Sequence, residues 1–380
     1  MNSAYRCWAE IDLGALRDNL AWLRRRAGPQ VRILTVVKAD AYGHGLKQIA
    51  ALLMQSGTDL FGVANLTEAR AIRQVGKGWP ILMLGACLPE EIETAVRDAV
   101  MPTISSMDEA RLFASAAKRL HKPVDLHVKV DTGMGRLGAT IRDAAALIRQ
   151  IEQMEGLKLA GVYTHFALAE DDPGFTRLQR TRFGQVIRDL RRTGIHAPLF
   201  HSNNSAGVLC EPRSNLGLVR PGLLVYGILP KGRRRLPSEV APWLRPALSW
   251  RCRVSLVKEI SRGTPLSYGR TFIAPRKMKV ATLTAGYGDG YLRAGSNRAE
   301  VLIGGRRCRV LGRITMDQML ADVSAVPHAK PGDEVVLIGR QGDGQISAQD
   351  VADWCDTVAW EVLTNISSRV PRVYRGAQAA

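Results

Sequence analysis

The first two-thirds of this 380-residue chain alternates between short apolar runs and helical patterns. Eight runs of strand type fall at Val31–Lys38, Asp59–Ala64, Ile81–Gly85, Met101–Ile104, Val124–Val130, Leu157–His165, Pro198–Ser202 and Leu218–Tyr226. Helical periodicity separates most of them. Leu112, Phe113, Ala116 and Leu120 mark one helix over Asp108–Leu120. Ala144, Leu147, Ile148 and Ile151 mark another over Ile141–Met154, and a longer one covers Phe175–Arg192. Strands that alternate with helices pair in parallel, because each helix carries the chain back to the end where the next strand begins. Eight such units fit a closed (β/α)8 barrel. The competing architecture, an open doubly wound sheet, is disfavoured because no G-x-G-x-x-G follows the first run. A helix over Asp12–Ala27, with Asp12 as its cap, precedes that run, so the order is expected to begin with a helix.

The texture changes near Lys231. Lys231-Gly232-Arg233-Arg234-Arg235-Leu236-Pro237 reads as an exposed linker. Strand-like runs then follow with little helix between them, at Leu248–Ile260, Lys279–Ala285, Ala299–Ile303, Cys308–Leu311, Gln318–Val323 and Glu334–Ile338. Gly304-Gly305 fits a two-residue hairpin turn. The expectation is therefore two domains, a barrel over residues 1–241 and a mostly β domain over residues 242–380.

Net charge is +18, from 53 basic and 35 acidic side chains. The arginines are dispersed, and no zinc-finger spacing or RNA-binding motif accompanies them, so a solvated basic surface is expected rather than a nucleic-acid partner. Six cysteines are scattered without CxxC or metal-ligand spacing. They read as reduced thiols, and no metal is expected. No run approaches the ~20 apolar residues that span a bilayer, and Met1–Trp8 lacks the apolar stretch of a secretory signal. A cytoplasmic protein with no membrane partner is expected.

In a barrel, chemistry collects at the C-terminal ends of the strands. The first run ends in Lys38, followed by Ala39-Asp40-Ala41-Tyr42-Gly43-His44-Gly45, with a helix expected from Leu46. Partial burial at a strand end lowers a lysine pKa and makes the amine a usable nucleophile or base, able to form a Schiff base with a carbonyl compound such as pyridoxal phosphate. A solvated strand-end lysine is the plain alternative. His127-Val128-Lys129-Val130-Asp131-Thr132-Gly133-Met134-Gly135-Arg136-Leu137-Gly138 places three glycines around an arginine suited to a carboxylate. Tyr163-Thr164-His165-Phe166 ends another run, where His165 alone also fits a bonded structural histidine. His201-Ser202-Asn203-Asn204-Ser205 and Arg220-Pro221-Gly222-Leu223 end the last two. Ser205 with the amides of Gly222 and Leu223 suits a phosphate, as late barrel strands often do, and equally a helix cap and a turn. In the β domain, Ser267-Tyr268-Gly269-Arg270 and Gly286-Tyr287-Gly288-Asp289-Gly290 set tyrosines among turn residues.

Together these stretches resemble the bacterial alanine racemases, enzymes of pyridoxal phosphate. The resemblance is carried in order by Val36-Val37-Lys38-Ala39-Asp40-Ala41-Tyr42-Gly43, Asp131 to Gly138, Tyr163-Thr164-His165, Ser267-Tyr268-Gly269, Gly286 to Tyr291, Met316-Asp317-Gln318 and Ile366 to Arg372. It covers nearly the whole chain. It implies a barrel with a C-terminal β domain, and a homodimer that shares its active sites between subunits. The function implied is interconversion of L- and D-alanine, with D-alanine going to peptidoglycan.

The resemblance also implies residue roles. Lys38 holds the cofactor as an internal aldimine and handles the proton on one face, while Tyr268 of the other subunit handles it on the opposite face. Arg220 faces the pyridine nitrogen and His165 bonds Arg220. Tyr42, Ser205, Gly222 and Leu223 bind the phosphate, with Asn204 alongside. Arg136 bonds the cofactor's phenolic oxygen and the substrate carboxylate, and Lys129 is carbamylated and orients it. Met316 of the partner binds the substrate carboxylate, and Tyr287 lines the entryway. Lysine and tyrosine side chains ordinarily titrate near pH 10, so such bases need lowering; a cationic neighbourhood of Arg220, His165 and Arg136 is expected to help. Two positions depart from the family. Trp360 stands in Trp360-Glu361-Val362 where tyrosine is common and touches the phosphate, and Thr315 stands where many members have cysteine. Both bear on substrate range, so a serine or broad-specificity racemase is the alternative. A barrel decarboxylase of basic amino acids is less favoured because the β domain offers Ser267-Tyr268-Gly269 in place of a cysteine motif. A single-barrel cofactor carrier would need no second domain.

Overall fold

The computed structural model of the chain describes residues 5–232 and 243–376. The expected boundary between residues 241 and 242, and the linker beyond Gly232 with its Arg233-Arg234-Arg235 cluster, lie outside the described residues. The chain forms two compact units. One holds Ala15–Ala41 and Leu46–Arg245, and the other holds the chain up to Gly14, the segment Tyr42–Gly45 and the chain from Pro246 onward.

The first unit is a barrel of eight parallel strands. Arg32–Val36 pairs with Leu60–Val63, and that strand with Ile81–Met83. A parallel bridge from Leu82 to Met101 continues the ring towards Thr103–Ile104, which pairs with Val124–Asp131. Leu157–Tyr163 and Leu199–His201 follow. Amide bonds from Gly217 to Phe200 O and from Arg220 to Asn203 O join Leu199–His201 to Leu218–Val219, which closes the ring on Arg32–Val36. Each of the eight runs expected from the sequence contributes one strand. The strands are buried on both faces, which is why they read as continuous apolar runs. Helices are started by side-chain caps: Asn65, Ser106, Thr140 and Asp172 each accept an amide hydrogen from three residues on. Some runs end earlier than expected. Leu218–Tyr226 becomes the short strand Leu218–Val219 and a 3-10 turn at Leu223–Tyr226, because Pro221 interrupts the ladder.

The second unit is built on a nine-stranded sheet. Its longest strand, Leu248–Ile260, has the ends read from the sequence. It bulges between Val254 and Leu256. Beyond the bulge it pairs with Met278–Leu283, and before it with Glu334–Gln341 and Cys7–Asp12. Glu300–Ile303 and Arg306–Leu311 form the expected hairpin, with Gly304 at φ 59° and Gly305 at φ 78°, the signs a type I′ turn demands. Among the described residues the first element is therefore a strand and not a helix. Cys7–Asp12 lies between Leu248–Ile260 and Arg372–Arg375, and the helix starts only at Leu13. The sequence signal for this strand is weak, because six residues that include Glu10 and Asp12 stand beside a strongly periodic helix. All six cysteines are free thiols, as expected. Among the described residues no helix is long and apolar enough to cross a membrane.

Candidate active site

Lys38 follows the fully buried Val37 at the end of the first barrel strand. The chain then enters a left-handed turn, where Ala39, Asp40, Ala41 and Tyr42 all have φ between 52° and 54° and Gly43 has 79°. L-residues resist this backbone by ~1–2 kcal/mol each, so four in succession must be held by their surroundings. Glu68 does part of this. One carboxylate oxygen accepts the amide of Ala39 at 2.7 Å and the other that of Ala64 at 2.8 Å. Asp40 accepts the amide of Leu46 at 2.7 Å, and Val37 O that of Ala41 at 2.9 Å. The sequence placed no such element before Leu46. Burial first, and the charge of Arg136 second, push the pKa of Lys38 down, while Glu68 opposes them.

Side chains alternate along a strand, so His127 and Lys129 of Val124–Asp131 share one face. Both are buried. Burial, then Arg136 and Arg220, bring the Lys129 amine down to about 8. The carboxylate of Asp131 accepts the amides of Gly133 at 2.9 Å and Gly135 at 3.1 Å, which folds the loop that presents Arg136. Gly138 closes that loop at φ 122°, where a Cβ would lie 2.7 Å from the amide nitrogen of Asp131. Arg136 itself is exposed.

Arg220 is only 3% exposed. Its Nη2 donates to Thr164 O at 2.6 Å and Ser202 O at 3.0 Å, and its Nη1 donates to Nδ1 of His201 at 2.7 Å. Nδ1 of His165 is farther, at 3.4 Å. Burial lowers the guanidinium to about 10. Among the described residues neither Arg220 nor Lys129 has a carboxylate in ion-pair contact. His165 does not add a cation, contrary to expectation. Burial and the charges of Arg220 and Lys129 hold its pKa well below the usual histidine value, so the ring is neutral.

The remaining predicted groups fall into two sets. In the barrel unit, Ser205 Oγ accepts the amide of Gly222 at 2.9 Å, and Leu223 begins the turn that follows. Asn204 uses Oδ1 to cap Gly207 and Nδ2 to reach Nε2 of His165 and Phe166 O, both at 3.3 Å, so it aligns this corner. Tyr42 falls in the segment grouped with the other unit.

In that β unit, Tyr268 (71%), Met316 (52%), Tyr287 (43%) and Trp360 (38%) are among its most exposed large side chains. Their loops are interlocked. The amide of Tyr287 donates to Thr315 O at 3.0 Å and that of Gly288 to Met316 O at 2.8 Å. Ser267 Oγ donates to Arg313 O at 2.5 Å, so the Tyr268 turn sits on the same stretch. Trp360 lies in the short helix Ala359–Thr364.

Three groups in the barrel went without a role in the sequence reading: Glu68, His127 and His201. Glu68 gives no signal beyond its place at the start of a helix. The two histidines sit in the strand-end stretches beside Lys129 and Ser202. The period of two along the first strand would have put His127 on the face of Lys129.

Comparison with known proteins agrees with this arrangement. Residues 11–230 match the family model for the alanine racemase N-terminal domain, and residues 247–374 match that for its C-terminal domain. The chain is 40% identical to an alanine racemase of Halothermothrix orenii, over 97% of this chain and 96% of that one. It is also 40% identical to one of Nostoc, over 97% and 95%. Among solved structures, an alanine racemase of Clostridium difficile superposes with a TM-score of 0.92 at 33% identity, covering 98% of this chain and 96% of that one. One of Streptomyces lavendulae gives 0.90 at 33% identity, covering 98% of each. With both family models matched and relatives similar over almost their full length, the chain belongs to the alanine racemase family.

Proposed function

We propose that this chain interconverts L- and D-alanine with pyridoxal 5′-phosphate as its cofactor. The observation that carries the proposal is a strand-end lysine of lowered pKa grouped with Lys129, Arg136 and Arg220, of which the buried Lys129 and Arg220 have no carboxylate in ion-pair contact among the described residues. Buried cations without partners are costly, and an anionic group with several acceptor atoms relieves that cost. Pyridoxal phosphate fits. Its phosphate suits Ser205 and the amides of Gly222 and Leu223, with Tyr42 also assigned to it, and its ring nitrogen suits the donor Arg220. Its aldehyde suits Lys38. When bound, it draws electrons from the substrate's α-carbon so that the α-hydrogen leaves as a proton.

The chain's own groups do the rest. Lys38 Nζ, its pKa lowered by burial and by Arg136, takes or returns a proton on one face of the α-carbon. The hydroxyl oxygen of Tyr268, from the partner in a homodimer, does so on the other. Arg136 holds the substrate carboxylate by paired hydrogen bonds, with the backbone of Met316 from the partner, and Tyr287 lines the approach. Lys129, converted to a carbamate, would turn from a neighbouring cation into an acceptor that orients Arg136. Arg220 cannot give up a proton to the ring nitrogen and so limits charge build-up at the α-carbon, favouring racemisation over side reactions. The D-alanine would serve peptidoglycan synthesis from the cytoplasm. Trp360 and Thr315 set the limits of the substrate pocket, and a wider range that includes serine is the second reading.

Chiral product analysis tests this. The protein with pyridoxal phosphate is given L-alanine, L-serine, L-lysine and L-arginine separately in heavy water. D-alanine carrying deuterium at the α-carbon is the expected product. A preference for serine supports the second reading, and carbon dioxide with an amine from lysine or arginine overturns both.

A further inference from the structure

Arg220 ends a chain of buried groups that runs back into the barrel. Its Nη1 lies 2.7 Å from Nδ1 of His201, and Nε2 of His201 lies 2.9 Å from Nδ1 of His127. Both imidazoles are fully buried. The direction of every bond follows from the first. A guanidinium only donates, so Nδ1 of His201 carries no hydrogen, and a neutral ring must then carry it on Nε2. That N–H donates to Nδ1 of His127, which leaves the hydrogen of His127 on Nε2. The reverse direction would strip His201 of both ring hydrogens. Burial, with the charge of Arg220, keeps both rings neutral: His127 is pushed down to about 3 and His201 well below its usual value.

Two more contacts fix the chain in place. The ring of Tyr163 stacks on His201 at 4.8 Å between centroids and 4° between planes, and the guanidinium of Arg220 lies 5.0 Å from the same ring. The Tyr163 hydroxyl is held 2.8 Å from Thr103 Oγ1, which donates to Met83 O at 2.7 Å. At the far end, Nε2 of His127 meets no acceptor among the described residues. A buried N–H left unmet is costly. An apolar residue would fill this layer of the barrel without that cost, as is usual in such cores.

We propose that His201 and His127 are positioning residues for Arg220, forming a one-way chain that fixes the guanidinium's direction and leaves its remaining N–H groups for the acceptor nitrogen of the cofactor ring. The role rests on the reading of Arg220 given under the proposed function; the hydrogen-bond direction does not.

The two parts are tested separately. Full-length protein without cofactor, labelled with 15N in its histidine rings, is examined by long-range proton–nitrogen correlation between pH 6 and 9. Signals are assigned by single His→Gln variants. His127 and His201 are both expected to show the Nε2–H form throughout. A Nδ1–H form or an imidazolium at either position overturns the chain. The loaded enzyme then compares His201→Leu, which has no acceptor for Arg220, with His201→Asn, whose amide oxygen can replace Nδ1. The leucine variant is expected to lose at least tenfold in kcat with KM for alanine changed less than threefold, and the asparagine variant to recover most of that loss. Full activity in the leucine variant, or an equal loss in both folded variants, overturns the positioning role. Absence of racemisation in the unmodified protein instead sinks the proposed function, while the tautomer result still decides the chain.

Discussion

The carboxylate of Glu68 accepts the amide of Ala39 at 2.7 Å and so fastens the residue that follows Lys38. The same group is the negative charge that opposes the lowering of the Lys38 pKa. One side chain thus holds the backbone beside the lysine and also tempers the lowering of its pKa by burial and Arg136.

Glu68→Gln removes the charge and keeps one acceptor oxygen. An opposite charge favours the ammonium form, so its loss lowers the Lys38 pKa further. The check is the pH dependence of chemical labelling of Lys38 in cofactor-free protein, read by mass spectrometry. An upward shift would contradict the assignment.

The left-handed turn predicts an unusual stability order. Glycine at position 39 relieves ~1–2 kcal/mol of backbone strain and gives back ~0.4–1 kcal/mol through a freer unfolded chain. Ala39→Gly should therefore be neutral to about 1.6 kcal/mol more stable, a rise of up to a few degrees in Tm. Ala39→Val, β-branched in the same backbone, should be less stable by more than about 1 kcal/mol. Thermal unfolding of the two variants gives the order directly.

The proposed sharing of active sites between subunits predicts complementation. Lys38→Ala and Tyr268→Phe should each lose most activity alone. In a mixed dimer one site carries both changes and the other carries neither. Random reassociation of equal amounts should then restore about a quarter of the unmodified activity, since half the dimers are mixed and half their sites intact. No recovery, with dimer exchange shown by mass, would place both groups in one subunit.

Lys129, brought down to about 8, is largely neutral in mildly alkaline solution, and only the neutral amine adds carbon dioxide. At fixed dissolved carbon dioxide the carbamate should increase as pH rises through about 8. Carbon-13 NMR with labelled bicarbonate should show a carbamate signal that is absent from Lys129→Ala.

How much of this could be read in advance depends on where each property is encoded. The barrel strands were legible because strands buried on both faces must be apolar throughout, and Gly304-Gly305 because few other pairs accept two positive φ angles. The left-handed turn was not legible, since alanine and tyrosine disfavour that backbone, one aspartate among them is too little to signal it, and contacts such as that with Glu68 impose it. The charge of His165 was read wrongly because protonation depends on burial and on neighbours brought from other strands. The exposure of Met316 is likewise a property of a folded loop, not of its turn-like sequence, whereas that of Tyr268 agrees with its place among turn residues.

The strand Cys7–Asp12 is synthesised before every barrel strand, yet its parallel neighbour Arg372–Arg375 is synthesised after all of them. Its other neighbour, Leu248–Ile260, is made only after every barrel strand. At ~5–20 residues per second, that first strand waits on the order of ten seconds or more for a partner. The barrel's strands are all synthesised in the interval, whereas the β sheet must stay incomplete until Arg372–Arg375 has been made. Vectorial synthesis therefore imposes an order of assembly on the two halves, and the opening strand is an unpaired edge that the growing chain must keep from pairing with a stranger.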